Sequence, residues 1–194
     1  MNFTGLNIGF ALTGSFCTLD QAFPQIQKLI DLGASVWPVV SETVKTTDTR
    51  FGSSEYFLDK LENMTGKKVI SSIKEAEPIG PKKMLDIMII APCTGNTISK
   101  LSYGVIDTAV TMAAKSHLRN GRPLLIALST NDALGSSAKN IGQLLNYKNV
   151  YFVPYSQDDP ENKNNSMISD FDLIADSVQC ALGGKQIQPL IFGN

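Results

Sequence analysis

Five short apolar runs, separated by segments with helical spacing, constrain this chain more than any other feature of its sequence. They are Leu6 to Leu12, Ser35 to Val40, Leu85 to Ala91, Leu124 to Leu128 and Val150 to Val153. None alternates cleanly between polar and apolar, and Ile87-Met88-Ile89-Ile90 is apolar throughout. That is the pattern of strands covered by helices on both faces. Between the runs, Phe23, Ile26, Leu29 and Ile30 form one helical stripe that ends at Gly33, and Tyr56, Phe57, Leu61 and Met64 form another that ends near Gly66. Thr108 to Asn120 supplies a third, with Lys115 and Arg119 toward its carboxyl end, where the helix dipole favours cations. Leu134, Ala138, Ile141, Leu144 and Leu145 mark a fourth, and Phe171, Ile174, Val178 and Ala181 a fifth, stopped by Gly183-Gly184. Pro24 lies inside the first pattern, so that helix either starts near Asp20 or kinks. Strands alternating with helices predict right-handed crossovers and an α/β fold, a doubly wound parallel sheet in three layers.

Composition narrows the field further. With 194 residues, 43% of them hydrophobic and 18% charged, the chain can bury one substantial core, and a single domain over 1–194 is expected. A net charge of −1 and scattered basic residues argue against a nucleic-acid or membrane-surface partner. The segment Met1 to Asn7 lacks a basic stretch followed by a long apolar run, and no window is apolar enough to span a bilayer, so a cytoplasmic protein is expected. Cys17, Cys93 and Cys180 are widely spaced and odd in number, which argues against a disulfide framework or a metal site.

Sheets of this kind bind ligands beyond the carboxyl ends of their strands, near the point where strand order reverses. That rule selects the loops to inspect. After the first run comes Thr13-Gly14-Ser15, where a glycine permits close backbone approach and two hydroxyls flank it. A phosphate fits there, and so does a bare strand-to-helix turn. After the third comes Ala91-Pro92-Cys93-Thr94-Gly95-Asn96-Thr97, which sets Thr94, Asn96 and Thr97 at a helix start. Capping needs one of them, and the surplus favours a site. After the fourth, Ser129-Thr130-Asn131-Asp132 offers Asp132 as an N-cap and Asn131 as a contact for a ring or a substrate carboxylate. The stretches Ser41 to Phe51 and Pro154 to Asn165 suit ligand or partner loops. The sole histidine, His117, suits a surface position near a helix carboxyl end, which excludes a serine-histidine-aspartate triad. Cys93, at a strand end beside the candidate site, suits a small buried thiol better than a reactive one, and Asp158-Asp159-Pro160-Glu161 suits a solvated acidic run.

The segment Ala91 to Lys100 resembles the flavin-containing decarboxylase family, whose members carry an Ala-Pro-x-Thr-Ala-Asn-Thr segment at a flavin site; Gly95 stands in place of the usual alanine. Leu101 to Asp107 resembles that family's following helix and Gly-x-x-Asp turn. Longer segments, Phe10 to Thr18, Phe23 to Ile26, Ser99 to Leu101, Ser129 to Gly135, Gln157 to Pro160 and Asn165 to Met167, are similar to a branch of the family found in spore-forming bacteria. The resemblance implies a flavodoxin-like fold, FMN as cofactor, and self-assembly into an oligomer. It also implies a partner A subunit, similar to nicotinamide-dependent dehydrogenases, that brings NAD(P). The reaction implied is oxidation of a dihydrodipicolinate-type dicarboxylate to dipicolinate in the mother cell during sporulation. On this basis Thr13, Gly14, Ser15 and Ser41 would hold the cofactor phosphate, Pro92, Thr94, Asn96 and Thr97 its flavin or ribityl part, and Asn131, Gln157 and Asp158 would face substrate or partner. No acid or base is assigned. The family's Pro-x-Met-Asn-x-x-Met-Trp segment is absent, with Ser129 to Leu134 in its place, and no loop carries a histidine, which argues against decarboxylation. Two rival functions stay open: a flavin-dependent decarboxylase, and a non-catalytic phosphate- or substrate-binding module that stabilises the A subunit.

Overall fold

In the computed structural model, which describes residues 1–192, each apolar run contributes a strand. These are β1 (Asn7–Leu12), β2 (Ser35–Val40), β3 (Ile87–Cys93), β4 (Leu124–Thr130) and β5 (Val150–Phe152). They lie in parallel in the order β2-β1-β3-β4-β5. The order reverses between β1 and β3, which is the switch point of a flavodoxin-like sheet and opens a crevice beyond their carboxyl ends.

The all-parallel expectation fails at one edge. Strand β4 pairs with β5 only over Leu124 to Ile126; farther on, Ser129 and Thr130 pair antiparallel with β7 (Met167–Ser169). β7 in turn pairs antiparallel with β6 (Tyr155–Ser156), so the sheet has seven strands and is mixed. These two short strands leave too brief a pattern for a period of two to show.

Side chains of the central strands point alternately to the two faces. Phe10, Leu12, Ile87, Ile89 and Leu125 pack on one face with α1 (Leu19–Asp31), α3 (Ser54–Thr65) and α8 (Ile174–Leu182). Ala11, Met88, Ile90, Ile126 and Leu128 pack on the other with α5 (Gly95–Tyr103), α6 (Ala109–Leu118) and α7 (Ala138–Leu145). All seven residues of β3 are buried, which explains why its sequence does not alternate.

Local chemistry sets the helix ends. α1 starts at Leu19 and runs through Pro24, whose side chain faces solvent, so the helix begins where expected and carries the proline inside. Gly33 adopts φ +95°, and a Cβ there would meet Thr4, so only glycine fits the turn out of α1. α6 opens with a capping box between Thr108 and Thr111. The stretch Ser41 to Phe51 is less irregular than its composition suggests, because Ser41 caps the short helix α2 (Glu42–Thr46). A second short helix, α4 (Ile73–Ala76), begins at a Ser72–Glu75 capping box. α7 starts later than its apolar spacing suggests, and Leu134 sits in the preceding turn with 51% exposure. Among the described residues, no helix is long and apolar enough to cross a membrane.

Candidate functional site

The loops leaving β1 and β3 are stitched together at Thr13, which is 1% exposed. Its hydroxyl donates to the Pro92 carbonyl at 2.7 Å and accepts from the Thr94 amide at 3.1 Å. Thr13 therefore holds the two loops at a fixed separation, and its hydroxyl is consumed in doing so. Pro92, buried in β3, contributes that carbonyl.

Two polar cavities meet over this stitch, sharing Gly14 and Thr94. The first, of about 310 Å³, is bounded by Thr13, Ser41, Thr43, Asn96, Thr97 and Lys100. The second, of about 370 Å³, is bounded by Ser15, Ser129, Asn131, Asp132, Asp158 and Lys163. Six of the eight expected cofactor residues thus line the first cavity, Ser15 lines the second, and Pro92 lines neither. Of the expected substrate or partner residues, Asn131 and Asp158 border the second cavity. Gln157 does not border it; its side-chain amide donates to the Asn164 carbonyl at 2.8 Å within its own loop.

The hydrogen bonding separates scaffold from spare capacity. Thr94 is the N-cap of α5: its hydroxyl accepts from the Thr97 amide at 3.4 Å and lies 3.2 Å from the Thr97 hydroxyl. The amides of Gly95 and Asn96 open the first turn and have no acceptor within the helix. They supply an anion-attracting end where the two cavities meet, Gly95 lining the second and Asn96 the first. Asn96 is exposed, and its side chain has no hydrogen-bond partner among the described residues. Ser41 accepts from the Val44 amide at 3.3 Å, which leaves its own proton for an incoming acceptor. Lys100 contributes positive charge but is held by Asp107 at 2.8 Å. At the neighbouring cavity, the Ser15 and Ser129 hydroxyls are 2.8 Å apart, and Ser129 lies 3.3 Å from the Thr18 hydroxyl.

Glycines mark where the loops crowd one another. A Cβ on Gly14 would come within 2.9 Å of the Thr43 methyl, so this glycine lets the β1 loop sit against the short helix α2 that follows β2. A Cβ on Gly95 would come within 2.8 Å of both the Thr130 and Ser137 hydroxyls. An alanine here, as in the related motif, would require these hydroxyls to shift.

Two expectations require correction. Asp132 is not the N-cap of α7; that position belongs to Ser137. Asp132 instead closes a turn, its carboxylate accepting from the Ser136 amide at 3.2 Å and from the Ser136 hydroxyl, and these bonds hold its pKa below the ordinary carboxylate value. His117 is not on the surface: it is 1% exposed and its Nε2 donates to the Pro123 carbonyl at 2.9 Å. Burial lowers its pKa to about 4, so it is neutral at physiological pH and lies at the amino end of the sheet, away from both cavities. Cys93 is wholly buried, and burial pushes its thiol pKa upward, so it is a poor nucleophile.

Three further residues of the cleft, Ser129, Lys163 and Lys100, have no role assigned by the sequence reading. Ser129 is separated from Ser15 by 114 positions, and only the sheet order brings them together. Lys163 lies 3.8 Å from Asp158 across the loop between β6 and β7, a hairpin with no clear sequence pattern. Lys100 follows the Thr94–Thr97 motif by one helical turn, a spacing that would have placed it on the cleft side of α5.

The chain is similar to several known proteins. The model of the Flavoprotein family matches residues 2–181. The B subunit of dipicolinate synthase from Bacillus subtilis (strain 168) is 48% identical over 190 residues, which cover 98% of this chain and 95% of that protein. The crystal structure of the corresponding dipicolinate synthase B subunit from Bacillus halodurans superposes with a TM-score of 0.92 at 45% identity, covering 100% of both chains. The crystal structure of Burkholderia xenovorans DmrB in complex with FMN, a cubic protein cage for redox transfer, matches with a TM-score of 0.68 at 16% identity over 92% of this chain and 96% of that one. That last likeness is one of fold.

Proposed function

This chain belongs to the Flavoprotein family, and on that footing we propose that it is the FMN-binding B subunit of a dipicolinate synthase, acting in the oxidation of a dihydrodipicolinate-type dicarboxylate. The observation that carries the proposal is the pair of joined cavities over the Thr13–Thr94 stitch, at the β1/β3 switch point. The groups present suit a phosphate ester bearing a polar ring. Donors line both cavities: the amides that begin α5 where the two meet, and the Ser41 hydroxyl and unpartnered Asn96 amide on the first. Lys100 adds a cation at its wall, and Glu42 is the one carboxylate lining it.

In this reading Gly14, Ser15 and Ser41 hold the phosphate, with Thr13 fixing the loop that presents them. Thr94, Asn96 and Thr97 meet the ribityl chain or the ring edge. Bound FMN would supply the two-electron redox chemistry, while the protein supplies position and electrostatics. Asn131, Asp158 and Lys163 line the neighbouring cavity, where Asn131 orients a carboxylate through its amide. The partner is the A subunit of dipicolinate synthase, carrying NAD(P); the assembly includes further copies of this chain, and the setting is the cytoplasm of the mother cell.

The test is spectroscopic: FMN-loaded protein is mixed with substrate and with the A subunit while flavin absorbance is followed. Bleaching on substrate addition, lost in Asn96→Asp, supports the proposal. A second reading, a binding module without chemistry of its own, is favoured by one observation. The two most strongly shifted groups, His117 and Cys93, are buried, and neither lines the two cavities. It prevails if the two-subunit rate is unchanged in Asn96→Asp and the flavin spectrum never responds. Carbon dioxide release by the chain with FMN alone would support decarboxylation instead.

A further inference from the structure

A third cavity, of about 370 Å³, lies between the carboxyl end of α5 and the outer face of α6, and the function above makes no use of it. Its apolar lining is formed by Leu101, Ile106, Leu118 and the exposed Val105. Its rim is basic. Lys115 and Arg119 stand four residues apart and so share one face of α6, both exposed, and neither side chain has an anionic or hydrogen-bonding partner among the described residues. The dipole of α6 accounts for basic residues in its last turn, but not for their standing over an apolar hollow. Lys100 lines this cavity as well as the first site cavity, and its ion pair with Asp107 leaves it engaged.

A small concave apolar volume with a few convergent charged groups is the ordinary form of a small-molecule site, for which cavities of roughly 300 Å³ upward are typical. Charge complementarity selects the occupant. Two unneutralised cations beside an aliphatic lining favour a ligand with an apolar body and an anionic end, and disfavour a neutral or cationic one. A guanidinium can meet a carboxylate through two parallel hydrogen bonds, with the lysine adding a point charge. We infer that this cavity binds a small carboxylate with an apolar body, through that body on Leu101, Val105, Ile106 and Leu118 and its carboxylate on Lys115 and Arg119. The inference is independent of whether the chain binds FMN.

The experiment is a titration of the full chain with benzoate, followed by amide NMR, with benzamide as the uncharged isostere. Saturable shifts confined to residues 101–106 and 111–119 are expected. Benzamide should bind at least about tenfold more weakly, and the Lys115→Gln/Arg119→Gln double variant should lose roughly 10- to 100-fold in benzoate affinity with an unaltered circular dichroism spectrum. Absence of saturable shifts, equal binding of benzamide, or undiminished binding by the double variant overturns the inference. So does sedimentation showing a self-assembly that covers these residues and comes apart on Arg119→Glu, since the hollow would then be a seam between copies of the chain.

Discussion

The amino and carboxyl ends of the central strands are both rich in polar side chains, yet they use them differently. At the amino end, Asp86 accepts from the Asn7 amide at 2.9 Å and faces Arg122 at 3.4 Å, while Arg122 also donates to the Lys83 and Leu85 carbonyls. His117 donates to the Pro123 carbonyl, Asn120 to that of Gly80 at 2.9 Å, and the Trp37 indole to Asn7 at 3.2 Å. These groups answer one another or nearby carbonyls, forming a closed network. At the carboxyl end, Thr13 and Thr94 are likewise committed to the scaffold, but Asn96, the Ser41 proton and the first amides of α5 are left over around open volume. The lesson is that polar density does not mark a site; donors without acceptors, facing a cavity, do.

The sharpest way to break this comparison is to titrate the amino end. Burial lowers His117 to about 4, Arg122 adds to the effect, and the Pro123 bond and Asp86 oppose it. Its folded value lies below the unfolded value of about 6.5, so the unfolded chain takes up the proton first. Stability is therefore full above that unfolded value and falls as pH drops toward 4, by roughly 3 kcal/mol in all. Urea unfolding across this range measures it, and His117→Gln should flatten the dependence. An unchanged slope in the variant would mean that the histidine is not held neutral.

Thr13→Val tests the scaffold half of the carboxyl end. It removes a donor to a buried carbonyl and an acceptor for the Thr94 amide, costing about 2 kcal/mol. Calorimetry should show Tm falling by roughly 4–8 °C. Asn96→Asp tests the spare half: stability should stay within about 0.5 kcal/mol, while FMN affinity falls at least about tenfold as a donor to the ribityl chain or ring edge becomes a charged acceptor. The smallest effect belongs to Lys163→Ala, because a half-exposed pair at 3.8 Å contributes under about 0.5 kcal/mol. A larger loss of stability there would show that the loop between β6 and β7 is braced more firmly than its contacts indicate.

Much of this architecture was legible in advance because it is written locally. The β2 run needed only its apolar continuity, Thr94 only its place before a helix, and Gly33 and Gly66 only their place after one. What was not legible depends on partners distant in sequence or on elements too short to carry a period. Ser169 shows both: it sits in a three-residue strand, and its hydroxyl accepts from the Leu128 amide 41 positions away. His117 looked external because a basic helix end usually is, whereas the Pro123 carbonyl beneath it satisfies the ring and makes burial tolerable. Asp132 looked like a helix cap because its acceptor role is the same in a turn, and only the Ser136 contact distinguishes the two. In the cleft, residue types were readable, but which hydroxyls were already engaged was not, since that depends on Thr13 meeting Pro92 across 79 positions.

The central claim is that the surplus donors over the Thr13–Thr94 stitch form an FMN site. The most direct measurement is an equilibrium titration of the purified chain with FMN, read by quenching of flavin fluorescence, in parallel with Asn96→Asp. Saturable binding of one FMN per chain that is competed by inorganic phosphate and weakened by the substitution is the predicted result. No saturable quenching, or affinity indifferent to both phosphate and Asn96→Asp, would contradict it.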